Sequence, residues 1–279
     1  MGKNFILNAD DFGRSKANNR AVLEGYNNGF LTSASLCANG KAFNAAVNEI
    51  LPECPDLGIG VHLNIVDGKA LTETDMLTDK KGRFNNGFLS ILLKSNSQRF
   101  LYQVEQEFRA QIELVQRYHE IDHITSHNHI HAIPSIFNIT VKLAEEYNIP
   151  YVRTHYEEFY VIPSIKRHLS FRYPLNIIKL IVLNAFSKKN KKLSAQSTIK
   201  TNDYIIGIGY EGMMDSDAVS CGIEDFEEDC TVETPIHPCC YIKNKSDRHY
   251  KEFKITQDKA LEYKIKISGF EITNYKKAG

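Results

Sequence analysis

The sequence of 279 residues has no tryptophan, no excess of either charge and no long apolar run. Its 34 acidic and 34 basic residues balance, so neither a nucleic acid nor an anionic membrane surface is expected as the main partner. The most apolar helical stretch, residues 175–186, is short and is interrupted by polar residues such as Lys179, which excludes it as a membrane span. A small or uncharged ligand is therefore the default expectation.

The N-terminal residues lack targeting features as well. Residues 1–7 lead directly into an apolar strand, without the long apolar stretch or the small-residue cleavage site of a secretory signal, and Ile6 stands where a myristoylation motif has Ser or Thr. We therefore expect a cytoplasmic protein with reduced cysteines, since the six cysteines form no CxxC pair. A zinc–thiolate site is the alternative for four of them, although adjacent cysteines do not suit chelation by a short loop. These four are Cys221, Cys230, Cys239 and Cys240.

Short β-rich apolar runs alternate with longer helical patterns along the chain. Strands are predicted at residues 5–9, 32–37, 57–63, 121–125, 151–153 and 231–236. Helices are predicted from the Ser15 cap to about residue 28 and at residues 43–50, 98–119 and 134–147. This alternation predicts a single α/β domain over residues 1–279 with a parallel sheet, either a barrel or an open sheet.

Two long segments stand outside this alternation. Residues 67–97, rich in Gly, Lys, Asn and Thr, predict a loop of the kind that forms an active-site rim in α/β folds. Residues 164–200 are basic, with the run KKNKK at 188–192, and predict a surface excursion with one helix. Nucleic-acid binding there is the alternative to a solvated, mobile face.

Unusual polar residues stand at the ends of four predicted strands. They are Asp10 and Asp11 after residues 5–9, His62 near the end of residues 57–63, His127, His129 and His131 after residues 121–125, and His237 after residues 231–236. Parallel α/β folds place their sites at the carboxyl edge of the sheet, where all the strands end. Four separate strands therefore deliver Asp or His side chains to one edge.

Each of these signals has a plainer explanation on its own. Adjacent aspartates after a strand often cap a helix, a lone histidine on an apolar strand is often a hydrogen-bonded core residue, and His237 before Pro238 fits an ordinary loop. The His-x-His-x-His run is stronger, because alternation along an extended chain points all three imidazoles to one side, and its alternative is a surface patch. Four independent coincidences at one edge favour a functional site.

Two imidazoles and one carboxylate form a competent site for a divalent ion. With positions left open for water, the set suits Zn²⁺, Fe²⁺, Mn²⁺, Co²⁺ or Ni²⁺, and it suits Mg²⁺ less well because imidazole is a softer donor. Such an ion lowers the pKa of bound water and polarises a carbonyl oxygen. A second carboxylate can accept the water proton and an imidazole opposite can protonate a leaving amine, which amide hydrolysis requires.

Ordered motifs along nearly the whole chain resemble those of the YdjC-like carbohydrate deacetylase family, which includes chitooligosaccharide deacetylases. The motifs are residues 8–13 (NADDFG), 32–33 with 39–40, 60–63 (GVHL), 126–131 (SHNHIH) with Pro134, Arg153, residues 237–238 and the tail 269–275 (GFEITNY). The resemblance implies a distorted, TIM-like (β/α) barrel related to polysaccharide deacetylases, commonly a homodimer. It implies removal of N-acetyl groups from acetylated carbohydrates, here GlcNAc-containing, chitobiose-like oligosaccharides.

By motif position, the resemblance also implies roles for individual residues. Three would bind the metal: Asp11, His62 and His127. Two would act as general base and general acid: Asp10 and His237. Three more would line the site, orienting the base or holding sugar hydroxyls: His129, His131 and Arg153. Family members are described with Mg²⁺ or Zn²⁺, and ligand softness favours Zn²⁺. Because tryptophan is absent, sugar stacking would fall to Tyr and Phe side chains.

Three segments depart from the family pattern and leave the substrate open: Cys239 and Cys240, residues 154–157, and residues 164–200. Two rival functions remain. A metal-dependent phosphoesterase would need a second metal or a basic clamp, for which the motifs offer only Arg153. A catalytically silent sugar- or metal-binding protein on the same scaffold would need neither Asp10 nor His237.

Overall fold

Short strands form one parallel sheet in the part of the chain that the computed structural model describes, residues 2–163, 168, 170, 172–224, 226, 228–240 and 247–278. The strands are β1 Lys3–Phe12, β2 Ser33–Leu36, β3 Gly58–Leu63, β4 His123–Ser126, β5 Tyr151–Val152, β6 Tyr204–Ile205, β7 Thr231–Ile236 and β8 Phe270–Ile272. Seven of them follow the order β5-β4-β3-β2-β1-β7-β6, and β8 pairs with the first residues of β1. The near-continuous burial of β1, β3 and β7 reflects a sheet covered on both faces.

The sheet curls until its two outer strands approach each other. Lys200 forms a parallel bridge with Tyr151 of β5, and three residues later the backbone N–H of Asp203 donates to the carbonyl of Thr231 in β7 at 2.9 Å. Residues 200–205 therefore connect the β5 edge to the β7 side. This curl confirms the distorted, TIM-like barrel among the two arrangements that the alternation left open.

Helices cover the outside of the curl. They are α1 Lys16–Asn27, α2 Phe43–Ala45, α3 Phe88–Lys94, α4 Gln98–Gln116, α5 Pro134–Glu146, α6 Arg172–Ser194, α7 Ser216–Gly222, α8 Arg248–Ile255 and α9 Lys259–Ile267. Shorter turns follow α2 at Ala46–Ile50 and Leu51–Glu53, and follow β4 at His127–Ala132. Ser15 caps α1 as predicted, since its side chain accepts the N–H of Asn18. In the described ranges, none of the helices combines the length and apolarity that crossing a membrane requires.

Two sequence expectations about elements were wrong, and one strand was missed. Strand β1 does not end at residue 9 but continues to Phe12, so both aspartates lie within it. Residues 67–97, predicted as a loop, contain the seven-residue helix α3, a short apolar run inside an otherwise polar segment. Strand β6 was not predicted, because its two residues are too few for a periodic signal.

The basic segment at 164–200 is more than a surface excursion. Its helix α6 buries Leu180 and Leu183, and the Asn190 side chain donates to the Ala132 carbonyl at 2.8 Å. The helix thus packs against the turn that follows β4, and the solvated face carries the lysines. Residues 164–167, 169 and 171 of this predicted excursion lie outside the described residues.

Candidate metal and catalytic site

A bulge at the end of β1 brings two adjacent aspartates to the same site. In a regular strand, Asp10 and Asp11 would point to opposite faces of the sheet. The register with β2 shifts between Ala9 and Phe12, and Asp11 has a left-handed φ of 63°. Bulges of this kind re-aim a side chain and are frequent beside active sites. The bulge explains how both carboxylates reach the site.

Asp11, His62 and His127 converge, as the resemblance implied for metal ligands. One ligand atom from each lies within 4.8 Å of the others. His127 Nδ1 is 3.1 Å and His62 Nε2 is 3.7 Å from the same oxygen, Oδ1 of Asp11. His62 and Asp11 are buried and His127 is half-buried, so the three ligand atoms face a sheltered space with one more open side. In the described ranges, none of the four cysteines of the zinc–thiolate alternative belongs to such a cluster.

The hydrogen bonding of His62 fits a bound cation. Its Nδ1 lies 2.8 Å from the hydroxyl of Thr125, while its Nε2 is buried and has no hydrogen-bond partner among the residues that the structure describes. A buried ring nitrogen without a partner is costly unless something binds it. With the hydrogen on Nδ1 directed at Thr125, Nε2 presents a lone pair toward Asp11, which is how metal-ligating histidines are oriented. The three residues could therefore hold a divalent metal ion.

Asp10 is held by partners inside the barrel. Arg153 donates to its Oδ2 at 2.7 Å and its Oδ1 at 2.9 Å, and the Asn8 carboxamide donates to Oδ1 at 2.8 Å. Arg153 also binds Glu233 and is fully buried. Burial alone would raise the pKa of Asp10, but the charge of Arg153 and its hydrogen bonds outweigh burial and hold the pKa well below its ordinary value. Asp10 is thus an oriented carboxylate that remains ionised.

His237 has the opposite electrostatic setting. Its Nδ1 lies 3.2 Å from Oε2 of the buried Glu252, which also accepts the His237 backbone N–H at 2.5 Å. Burial would lower the pKa of His237, but the hydrogen bond and charge of Glu252, together with Asp10 and Asp11, raise it to about 9. The imidazole is therefore protonated at neutral pH, with Nδ1 directed at Glu252 and Nε2 left to donate elsewhere.

The three histidines of the His-x-His-x-His run do not point to one side, contrary to the expectation from an extended chain. Residues 127–132 form a tight turn in which Asn128 and His129 have φ values of 52° and 56°. His129 Nε2 lies 3.3 Å from Glu211, away from the metal cluster. His131 is buried, and both of its ring nitrogens are occupied, by the Ser126 hydroxyl and the Arg153 carbonyl. Only His127 of the run joins the cluster.

Two cavities flank this turn and differ in polarity. The polar one, of about 440 Å³, is lined by the candidate ligands Asp11 and His127 and by basic side chains that include Arg14. The other, of about 350 Å³, lies beside His129 and is lined mainly by apolar side chains of α3 and α6. These are Phe88, Leu175, Ile178, Val182 and Leu183.

Several partners of the site residues were not found from the sequence. Thr125 and Glu233 lie on predicted strands, whereas Glu252 lies on helix α8, which was not predicted. Nothing in their local sequence distinguishes the three from other polar residues. Asn8 stood inside a motif, which was the one available signal. Arg14 follows the first motif directly and donates to Asp11 Oδ2 at 2.8 Å.

The fold and the site define a parallel α/β barrel protein with a candidate Asp-His-His metal centre at the carboxyl edge of its sheet. A sequence profile described as YdjC-like protein matches residues 4–266, and the chain belongs to this family. The resemblance inferred from the motifs is thereby confirmed.

Similar proteins include three that are named carbohydrate deacetylase. That of Brevibacillus brevis is 40% identical over 52% of this chain and 57% of its own length. That of Clostridium beijerinckii is 37% identical over 52% of this chain and 58% of its own length. That of Thermoanaerobacter pseudethanolicus is 28% identical over 98% of both chains. The alignments with the first two thus span little more than half of those relatives.

A solved structure shows the same fold. It belongs to an Enterococcus faecalis V583 protein that carries the provisional name of cellobiose-phosphate cleavage protein. The two chains superpose with a TM-score of 0.75 over 99% of each, at 20% sequence identity. At that identity the likeness establishes the shared architecture and leaves the chemistry to the site itself.

Proposed function

We propose that this protein is a metal-dependent hydrolase that removes N-acetyl groups from carbohydrates, specifically from GlcNAc-containing, chitobiose-like oligosaccharides. The observation that carries the proposal is the pairing of an ionised, oriented Asp10 with a protonated His237 around the Asp11, His62 and His127 cluster. The relatives named carbohydrate deacetylase support the same reaction, above all the one aligned over 98% of both chains.

The donor set supports a transition metal as the cofactor. Asp11, His62 and His127 would hold the ion, and two imidazole nitrogens favour Zn²⁺ over Mg²⁺, which prefers oxygen ligands. When bound, a divalent ion would acidify a water molecule and polarise the acetamide carbonyl. Mg²⁺ stays the alternative that the family resemblance implied.

The residues around the cluster divide the proton transfers between them. Asp10 accepts the proton of the attacking water, whose oxygen forms the new bond to the acetyl carbon. His237 then donates its Nε2 proton to the sugar nitrogen as the carbon–nitrogen bond breaks, so that acetate and a free amine leave. Glu252 keeps the imidazole of His237 oriented and protonated for this step.

The two cavities beside the turn suggest how an oligosaccharide binds. The polar cavity offers hydrogen-bonding groups for hydroxyls next to the ligands Asp11 and His127. In the apolar cavity, the Phe88 ring is the one aromatic surface among the lining residues. Sugar rings pack their apolar face against aromatic rings, so we propose that Phe88 contacts a sugar unit of the substrate.

Acetate release from diacetylchitobiose tests the reaction. The protein is stripped of metal and reloaded separately with Zn²⁺, Mn²⁺, Co²⁺ and Mg²⁺. We expect metal-dependent release with the transition ions ahead of Mg²⁺. Asp10→Asn should retain metal binding in calorimetry and lose at least about 10²-fold in kcat, because general acid–base catalysis contributes that much or more.

The half-buried His119, which lies outside the candidate site, supplies the control. His119→Ala should match the wild-type rate and metal affinity, because its ring contacts only the neighbouring Glu120 carbonyl among the described partners. A near-normal rate for Asp10→Asn would refute the base assignment. Tight metal binding without release from any acetylated sugar would favour the silent-binder alternative.

The phosphoesterase alternative has one observation in its favour. Three basic residues, Arg14, Lys41 and Arg83, line the polar cavity next to Asp11. Arg153, the basic residue that the motifs offered, is buried against Asp10 and Glu233 and therefore cannot clamp a phosphoryl group. Hydrolysis of p-nitrophenyl phosphate by the metal-loaded protein, absent in His62→Ala, would replace the deacetylase proposal.

Three broader expectations stay predictions. A single domain over residues 1–279, a homodimer and a cytoplasmic location follow from the pattern and the family resemblance. Limited proteolysis tests the first, light scattering the second and cell fractionation the third.

A further inference from the structure

A chain of buried hydrogen bonds runs through the barrel from β4 to Asp10. Asp122 Oδ1 lies 2.5 Å from Nδ1 of His123, and Nε2 of His123 lies 2.9 Å from the Ser35 hydroxyl. The Asn8 side-chain nitrogen lies 2.9 Å from that hydroxyl and 2.8 Å from Asp10 Oδ1. Asn8, Ser35 and His123 are completely buried. This order of hydrogen-bonded side chains resembles an Asp-His-Ser triad, but Ser35 is buried away from solvent and substrate.

The donors and acceptors of this chain fix its direction. A carboxylate only accepts hydrogen bonds, so the group of Asn8 that faces Asp10 is its NH₂, which donates its second hydrogen to Ser35. The Ser35 hydroxyl must then donate its own hydrogen, and His123 Nε2 is the acceptor at 2.9 Å. The hydrogen of the imidazole therefore sits on Nδ1 and is donated to Asp122.

The His123 ring is held from both sides. A side chain at Gly60 of β3 would overlap the ring, so that position requires glycine. Tyr275 stacks on the ring at a centroid distance of 3.9 Å and an angle of 19°. Tyr275 belongs to the tail 269–275, which is anchored where the Thr273 N–H donates to the Phe5 carbonyl at 2.9 Å. This tail was part of the motif pattern, and the metal cluster gives it no role.

The far end of the chain determines which oxygen of Asp10 is free. Oδ1 accepts from Asn8 and from Arg153, which occupies both of its in-plane lone pairs. Oδ2 accepts a single hydrogen bond, from Arg153, and keeps one lone pair. Without Asn8 in this orientation, the carboxylate could rotate about its bond to Cβ and lose the distinction between its oxygens.

We propose that Ser35 and His123 are positioning residues for Asp10, acting through the Asn8 carboxamide so that Oδ2 faces the reaction. The inference rests on the proposed function, in which Asp10 is the general base. The chain holds geometry and does not conduct protons, because a carboxamide does not readily accept and release a proton at neutral pH. The C-terminal tail contributes by fixing the His123 ring.

Ser35→Ala tests the inference, with Ser33→Ala as its matched control. Ser33 lies two residues earlier on β2, is equally buried, and its hydroxyl has no hydrogen-bond partner in the described part of the chain. We expect Ser35→Ala to lower kcat for diacetylchitobiose about tenfold, since small misplacements of reacting groups have effects of this order, with KM and metal affinity within about twofold of the wild type. Ser33→Ala should leave kcat unchanged. Equal losses in the two variants, or a loss confined to KM, would overturn the inference.

The tautomer of His123 provides a readout that does not depend on activity. Proton–nitrogen correlation spectra of the ¹⁵N-histidine-labelled protein, with His123→Gln for assignment, should show the hydrogen of the His123 imidazole on Nδ1. An imidazole with hydrogen on Nε2, or on both nitrogens, overturns the chain whether or not the protein is active. If the wild-type protein releases no acetate with any metal, the proposed function fails, and the spectra then decide the direction of the chain by themselves.

Discussion

Two buried histidines on neighbouring strands, His62 on β3 and His123 on β4, have opposite hydrogen-bonding circumstances. His123 has both ring nitrogens occupied, by Asp122 and Ser35. His62 has one nitrogen occupied, by Thr125, while the other is buried and meets no hydrogen-bond partner within the described ranges. Because an unmet buried polar atom costs roughly 1–3 kcal/mol, such an atom is retained where it has a use. We therefore assign His62, with its unoccupied nitrogen beside Asp11, as a candidate metal ligand, and His123 as a structural residue.

The same distinction separates the other histidines of the site. Both ring nitrogens of His131 are occupied, as they are in His123; they contact the Ser126 hydroxyl and the Arg153 carbonyl. His237 has one nitrogen on Glu252 and one that remains available, which suits a proton donor. In these four histidines the proposed role therefore depends on which group each ring nitrogen binds, not on the residue type alone.

The largest effect on activity should come from replacing His62. His62→Ala is expected to abolish metal binding and to lower kcat/KM by at least about 10³-fold, because Lewis-acid stabilisation amounts to several kcal/mol. His123→Gln should keep the metal, since that ring has no nitrogen free for it. Calorimetric Zn²⁺ titration and acetate release measure both. Loss of metal in the His123 variant would break the comparison.

The next prediction concerns Gly60→Ala, which tests whether the His123 ring is confined by its neighbours. The new methyl group would overlap the His123 ring, which Tyr275 blocks from moving away. We expect a loss of about 2–3 kcal/mol in the free energy of unfolding, as for other overpacked cores. Gly87→Ala is the control, because a methyl group there meets no atom within 4 Å. Urea denaturation measures both, and equal stabilities would show that the ring is not confined.

Much of the barrel and the positions of the ligands could be predicted from the sequence. The β7 prediction at 231–236 agrees with the structure residue for residue, because four of these six residues are β-branched, which favours a strand. Asp11, His62 and His127 could be predicted to converge because parallel strands end at one edge.

The remainder depends on tertiary contacts that leave no periodic signal. The bulge that turns Asp11 arises from a register shift between β1 and β2, which neither strand shows alone. The turn at 127–132 replaces the expected extended chain because Asn128 and His129 adopt left-handed conformations. Which histidine has a free nitrogen depends on residues as distant as Thr125 and Glu252.

The hydrogen bond between His237 and Glu252 predicts how kcat/KM depends on pH. A general acid acts only while it is protonated. We therefore expect kcat/KM to be highest below the pKa of His237 and to fall as the pH rises through that pKa. That pKa is raised to about 9 by Glu252, and a bound cation would lower it somewhat. Glu252→Gln removes the charge and should move the alkaline limb of kcat/KM down by about one pH unit. An unmoved limb in this variant would assign the limb to another group.

The smallest effect should come from replacing Phe88. This variant tests whether the substrate site extends beyond the histidines. Its ring lines the apolar cavity beside His129, whereas its neighbour Leu89 is 68% exposed and lies outside that lining. Phe88→Ala should raise KM for diacetylchitobiose roughly fivefold, as expected from the loss of about 1 kcal/mol of ring contact, with kcat and Zn²⁺ affinity unchanged. Leu89→Ala should leave KM as it is. A change in kcat instead of KM would mean that Phe88 supports the turn at 127–132. Its role would then be structural, and it would not contact the substrate.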